Sequence, residues 1–273
     1  MAHFHRYYDD YCYLPLYVFC GQDILACVLR PSSRDPASIL SALIKLITRR
    51  LRQAWPRIRI VVRGDSGFCR PQALLRFEKW GLHYIVGSQK NTALLQRVAL
   101  AELLLADRYQ HAGTKQRMIG EFDYAAHSWG RERRVIARLE HDAHGVNPRF
   151  IVTNLKGGAE ALYERVYCAR GEAENRIKET QLDWLGRRAS CHKFQDNQLR
   201  LLLAAFAYTL MINLRRLALA GTELARACTA TIRTMLLKIA AAIVRNTRRV
   251  HALLASQHPL KHIFISAAQA LAP

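Results

Sequence analysis

Acidic residues are scarce in this 273-residue chain: Asp and Glu total 21 against 41 Lys and Arg, a formal net charge of +20. That imbalance favours polyanions such as nucleic acid or an acidic membrane surface, and argues against a specialist for small neutral ligands. Cysteines number seven, an odd count with no C-x-x-C pair, so neither a disulfide framework nor a zinc site is expected; reduced thiols in a cytoplasm fit. Long apolar runs are missing too. The most apolar stretch, Leu201 to Leu214, is closed by Arg200 and by Arg215-Arg216. It falls short of the roughly 20 residues a membrane span needs, and reads as a buried helix. Met1 to Tyr13 holds histidines, aromatics and two aspartates, so no signal peptide is expected. There is no internal repeat and no low-complexity tract. What is present is ordinary for a globular chain, 51% hydrophobic and 23% charged, at a length of about two domains.

The order of elements points to a mixed α/β fold. Tyr11 to Phe19 and Ile24 to Leu29 are β-rich runs around Cys20-Gly21-Gln22-Asp23, an antiparallel hairpin whose first run is interrupted by Pro15. From Pro36, apolar residues recur at helical spacing as far as Ile47, and Arg49, Arg50 and Arg52 lie near the carboxyl end, where the helix dipole favours cations. Ile58 to Val62 is a strand running into the tight turn Arg63-Gly64-Asp65-Ser66-Gly67. Pro71 to Trp80 is a helix stopped by Gly81, and Tyr84 to Val86 a short strand. Thr92 to Ala106 is helical. Arg117 to Trp129 and Arg133 to Glu140 form a second hairpin turning at Gly130, and Phe150 to Thr153 is a further strand. From Ala159 onward the composition is helical. The expected organisation is a core over 1–90, a β-rich insertion over 91–156, helices completing the core over 157–216, and a basic helical region over 217–273. The histidine pair at His141 and His144 is read as a turn because Gly145 and Pro148 follow it, and His3 and His5 as strand residues.

Charge is unevenly distributed. From Trp184 to Pro273 there are thirteen Lys and Arg against two acids, Asp196 and Glu223, a net of +11. A solvated basic face on helices would give the same count, but the concentration favours a surface for a polyanion.

Two acids could carry chemistry. Asp65 follows the carboxyl end of a strand, the edge of an α/β sheet where ligands bind, among the small residues Gly64, Ser66 and Gly67. A turn aspartate bonding its own backbone is the plainer alternative. The second is Glu174 in Tyr167-Cys168-Ala169-Arg170-Gly171-Glu172-Ala173-Glu174-Asn175-Arg176-Ile177-Lys178-Glu179. At about 100° per residue, Tyr167, Arg170, Glu174 and Lys178 fall within roughly 80° of one another. Spacing alone also fits a glutamate salt-bridged to cations four residues away on either side. An in-phase aromatic, and a glycine that costs a helix about 1 kcal/mol, speak for close approach to something else. Paired carboxylates from a strand end and a helix suit two-metal phosphoryl transfer, in which each Mg²⁺ takes one or two hard oxygen ligands and leaves room for phosphate.

The segments Tyr8 to Gly21, Arg63 to Phe68 (RGDSGF) and Tyr167 to Glu179 (YCARGEAENRIKE) resemble the DDE transposases of bacterial insertion sequences, in particular the family numbered thirteen-eighty, related to the family numbered four. The resemblance runs from about Tyr7 to past Arg216. It implies a ribonuclease-H-like mixed sheet with a β-stranded insertion and a helical C-terminus. Asp65 and Glu174 would be the second and third catalytic acids and metal ligands, and Tyr167, Arg170 and Lys178 would lie against DNA. In these enzymes a lysine follows the glutamate by seven positions, where this chain has Gln181; Lys178 lies one turn nearer. The family's first acid belongs to a central strand preceding the one that begins near Tyr8. Met1 to Tyr7 contains no acid, so the chain is expected to lack that strand, to be N-terminally truncated, and to be inactive alone. The resemblance further implies two Mg²⁺ ions (with Mn²⁺ as a substitute), DNA as the partner in the form of element ends and target, a homodimer as a candidate assembly, no membrane, and a cytoplasmic, nucleoid-associated location. Two other classes remain open on the residues: a non-catalytic basic nucleic-acid-binding protein, and another ribonuclease-H-like nuclease.

Overall fold

The computed structural model describes residues 3–5, 10–31, 35 and 39–272. Tyr8, near which the resemblance begins a strand, and Pro36, from which the first helix was expected to grow, lie outside them. The chain forms two compact units, Arg34–Glu172 and a second built from Met1–Ser33 with Ala173–Pro273.

In the first unit a mixed sheet has the order β5-β6-β10-β8-β7, with β5 (Val61–Gly64), β6 (His83–Ser88), β10 (Arg149–Thr153), β8 (Arg133–Asp142) and β7 (Gln116–Tyr124); the short β9 (Gly145–Val146) pairs with β8. β5 and β6 are parallel and joined by helix α2 (Pro71–Lys79); the remaining pairs are antiparallel. The strands expected as an insertion therefore continue the sheet of β5 and β6. Alternation divides the central strands between two cores. Tyr84, Val86, Val135, Ala137, Leu139, Phe150 and Val152 pack under the apolar stripes of α1 (Leu40–Ala54), α2 and α3 (Thr92–Ala112). Ile85, Ile136 and Ile151 point the other way, against Leu155, Leu162 and Tyr163 with Val166 and Tyr167 alongside. Burial on both faces explains the short unbroken apolar runs Tyr84–Val86 and Phe150–Val152 at the middle of β6 and β10.

Local signals set the ends. Asn91 caps α3 by accepting from the Leu94 amide at 2.8 Å. No glycine or proline interrupts the helix until Gly113, which closes it at φ +63°, six residues beyond the expected end. The expected turn at His141–His144 is present, its Asp142 Oδ1 accepting from the His144 amide at 2.8 Å.

The second unit begins with β1 (His3–His5) paired to β2 (Asp10–Cys12), then β3 (Leu16–Cys20) paired to β4 (Asp23–Val28). Gly21 turns this second hairpin at φ +58°. The single long strand expected from Tyr11 is broken: Tyr13 bridges Pro31, Pro15 occupies the gap, and a bulge sits at Val18/Phe19. Helix α5 (Phe194–Ala218) packs Leu201 and Ala205 on Cys27 and Leu29, while Met211 and Ala218 join Leu219, Ile232, Leu260 and Ile263 in a further core. It is 25 residues long and contains an 18-residue window of mean hydropathy 1.4, long and apolar enough to cross a membrane by length and composition. The apolar run Leu201–Leu214 is only part of it, because the helix continues through Arg200, which is half-buried. Gln198, Tyr208 and Arg215 of α5 bond to backbone and side-chain atoms of the β3–β4 region.

One expectation is overturned. The chain after Ala159 is not wholly helical: β11 (Ala241–Arg245) and β12 (Val250–Leu254) form an antiparallel hairpin before the last helix, α6 (Lys261–Ala270). The β-branched Ile243, Val244 and Val250 and the turn former Asn246 carried that signal, and alanine-rich flanks hid it.

Candidate active site

Asp65 stands immediately past the carboxyl end of β5, exposed, at the first position of the 3₁₀ turn Ser66–Phe68. Its Oδ1 accepts the Gly67 amide at 2.8 Å, so the turn-aspartate reading is correct as far as it goes. A carboxylate offers about four lone-pair sites, and this bond fixes the group's direction while leaving acceptor capacity.

Tyr167 comes to the same place from the opposite layer. The chain rises over the Ile85–Ile136–Ile151 face as a π-helical turn, Leu162–Tyr167, then tightens into a 3₁₀ turn, Cys168–Arg170. In a 3₁₀ turn, residues three apart are eclipsed. Arg170 accordingly lies over Tyr167, its guanidinium carbon 5.9 Å from the ring centroid, within cation–π range. The stripe expected from uniform α-helical geometry thus arises at these two residues from tighter winding. Arg63 Nη1 donates to the Val166 carbonyl at 3.1 Å, tying β5 to the π turn.

The close approach inferred from the sequence is made, but at a different glycine. Gly87 of β6 lies on the Ile85 face, and a Cβ built there would stand 2.7 Å from the Tyr167 hydroxyl, 3.0 Å from the Ser66 nitrogen and 3.3 Å from the Asp65 carbonyl carbon. Gly171, the glycine singled out earlier, has open space around it. Sequence reasoning missed Gly87, although an isolated glycine inside the strand run HYIVGS is the usual sign of close backbone approach. Burial pushes the Tyr167 hydroxyl pKa up; Arg170 and Arg149 pull against it and the Asp65 charge adds to it. The tyrosine is therefore a neutral hydrogen-bonding group at neutral pH, in a wall that includes Arg63, Arg149 and Arg170.

The other two expected residues belong to the second unit. Glu174 and Lys178 are both exposed on α4 (Gly171–Lys178), which begins at the end of the first unit and continues into the second. A π-helical turn, Glu179–Asp183, follows and contains Gln181. In that second unit Glu179, which the sequence reading did not single out, is half-buried. Burial raises its carboxyl pKa, opposed by Arg215 and Arg176. The structure therefore brings Asp65, Tyr167 and Arg170 together, while Glu174 and Lys178 are positioned within the other unit. Among the described residues there is no group of three or more His, Cys, Asp or Glu placed to hold a metal ion.

A mixed sheet covered on both faces, with an aspartate at the carboxyl end of a parallel strand and a tyrosine–arginine wall beside it, makes this a mixed α/β domain, an architecture consistent with a ribonuclease-H-like DDE domain. The chain belongs to the transposase DDE domain group 1 family, whose family model matches residues 1–273. No curated protein matches it closely. Its function is therefore of the transposase type, with DNA as the partner that implies.

Proposed function

We propose that the chain is the DNA-processing part of a bacterial insertion-sequence transposase, cutting strands at element ends and joining the freed 3′-hydroxyl to target DNA. The observation that carries this reading is the seating of Tyr167 over Gly87 against the Asp65 turn, with Arg170 stacked on its ring. A structural tyrosine does not call for an exposed acid and a basic wall at its hydroxyl.

Asp65 and Glu174 are the acids of the reaction and the ligands for a divalent cation. Their oxygens are hard donors suited to Mg²⁺, which takes few protein ligands and keeps positions for phosphate. Bound there, the ion supplies Lewis acidity that activates a hydroxyl and offsets charge on the leaving oxygen. The protein's own contribution is positional. The Gly67 amide orients the Asp65 carboxylate, Tyr167 donates a hydrogen bond towards a phosphate oxygen, and Arg170 and Lys178 hold the DNA backbone.

The test incubates the purified chain with labelled duplex carrying element ends in Mg²⁺ or Mn²⁺, beside Asp65→Ala and Glu174→Ala. Metal-dependent cleavage that both substitutions abolish is expected. Cleavage that survives both overturns the site. The second reading, a non-catalytic nucleic-acid-binding protein, draws on the absence of any acid after Glu223; binding with no metal-dependent cleavage under any condition would favour it.

A further inference from the structure

The β11–β12 hairpin has no core. All ten strand residues are exposed, Ile243 at 66% and Val250 at 65%, in a ribbon only two strands wide. Such a ribbon is marginal in water by itself, yet its tip is built with care. The Asn246 amide donates to the Arg249 carbonyl at 2.9 Å, and Asn246 Oδ1 accepts the amides of Arg248 at 3.0 Å and Arg249 at 2.7 Å. This locked turn projects Arg245, Arg248 and Arg249 from one end. His251 lies opposite Val244 in the ladder, and no Asp or Glu occurs anywhere after Glu223 to neutralise the group.

We infer that this ribbon is a DNA-groove probe, entering a duplex groove tip first with Arg245, Arg248 and Arg249 on phosphates. The inference rests on the proposed DNA-processing function and assigns part of the DNA contact to a segment outside the Asp65 site. Charge complementarity selects the occupant: an acid-free tip with three arginines suits a polyanion, whereas a second copy would bring like charges together. The dimensions agree, because the B-DNA major groove, about 12 Å wide, admits a two-stranded β-ribbon. Along the ribbon Ile243, Val244 and Val250 present methyl groups, which suit apolar contact with thymine methyls or sugar edges. The role is sequence-tolerant, since phosphate contacts position without reading bases.

The experiment measures binding of the full chain to a fluorescein-labelled duplex of mixed sequence by anisotropy, in EDTA so that cleavage does not contribute, between 50 and 200 mM salt. The triple variant Arg245→Ala/Arg248→Ala/Arg249→Ala is compared with the unsubstituted chain and with the triple Lys variant, each checked for an unchanged thermal melt. Three lost phosphate contacts should flatten the slope of log affinity against log salt by about 2.7. The alanine variant would then lose about 40-fold less affinity over this range, while the lysine variant keeps the original slope. Equal slopes in the unsubstituted and alanine forms overturn the inference and leave the functional reading intact. Self-association that the alanine triple abolishes without changing the slope assigns the ribbon to a second copy and likewise overturns it. If the unsubstituted chain binds no DNA at all, both readings fall together.

Discussion

Gly87→Ala tests the seating of Tyr167 with the smallest available change. The backbone at Gly87 lies outside the left-handed region, so alanine is conformationally acceptable there, and the whole effect comes from the added methyl. That methyl would meet the Tyr167 hydroxyl at 2.7 Å and the Ser66 nitrogen at 3.0 Å. The tyrosine is half-buried between Tyr163 and Arg170, and Ser66 belongs to the backbone that carries Asp65, so neither neighbour moves freely. Overpacking of this kind costs about 1–3 kcal/mol. At about 2–4 °C per kcal/mol for a domain of this size, Tm falls by roughly 2–12 °C. Any cleavage activity falls further, because the displaced atoms belong to the Asp65 turn. Thermal unfolding by circular dichroism reads the first effect. The double variant Gly87→Ala/Tyr167→Phe removes the 2.7 Å neighbour and leaves the 3.0 Å one, so it should recover part of the loss, with a coupling of about 0.5–1.5 kcal/mol in a double-mutant cycle. A Gly87→Ala protein that melts with the unsubstituted chain, or a phenylalanine partner that recovers nothing, would refute the close-approach argument.

Two other predictions concern the frame around the site. Glu78 accepts from Arg133 Nε at 2.9 Å and Nη2 at 3.1 Å, from the Tyr84 hydroxyl at 2.8 Å, and pairs with Arg131 at 2.8 Å. Burial works to raise its carboxyl pKa, but the bonds from Arg133, Tyr84 and Arg131 outweigh it and the net direction is down from the usual 4.5. Its stabilisation is thus fully present above pH 4.5 and lost as pH falls through the lower folded value, which steepens the acid limb of unfolding. Glu78→Gln should cost about 3–5 kcal/mol by stranding the Arg133 charge, and should flatten that limb in a pH series of denaturant melts; an unchanged limb would contradict the assignment. Burial also pushes the Cys69 thiol up to about 11, with Ser88 and Arg133 opposing it. Thiol titration at pH 8 should label the exposed Cys20, Cys168 and Cys228 quickly and Cys69 only on unfolding, and rapid labelling of Cys69 would count against the packing described.

How far the sequence revealed these features depended on how local each signal was. The Asp65 turn was legible because glycine, serine and aspartate cluster after an apolar run, and the Tyr167–Arg170 pairing because both fall in phase on a helix. Gly171 drew attention as the costly residue in that helix, while the glycine that works is Gly87, whose partner lies 80 positions away in sequence; only the fold puts them together. The sheet order was hidden for the same reason. Nothing in the run Arg149–Thr153 says that it pairs with both His83–Ser88 and Arg133–Asp142, joining a supposed insertion to the core. The hairpin at Ala241–Leu254 was missed for a different reason. Alanine and leucine dominate its flanks and favour helix by propensity, and its strand signal is only five residues on each side of Asn246.

The central claim is that Asp65 and Glu174 are acids of a divalent-metal site acting on DNA. The measurement that meets it most directly is Mn²⁺ binding to the full chain, followed by electron paramagnetic resonance in the presence of duplex DNA, with Asp65→Ala and Glu174→Ala as comparators of equal melting temperature. The account predicts that each substitution weakens Mn²⁺ binding at least tenfold; Mn²⁺ bound equally well by all three proteins would contradict it.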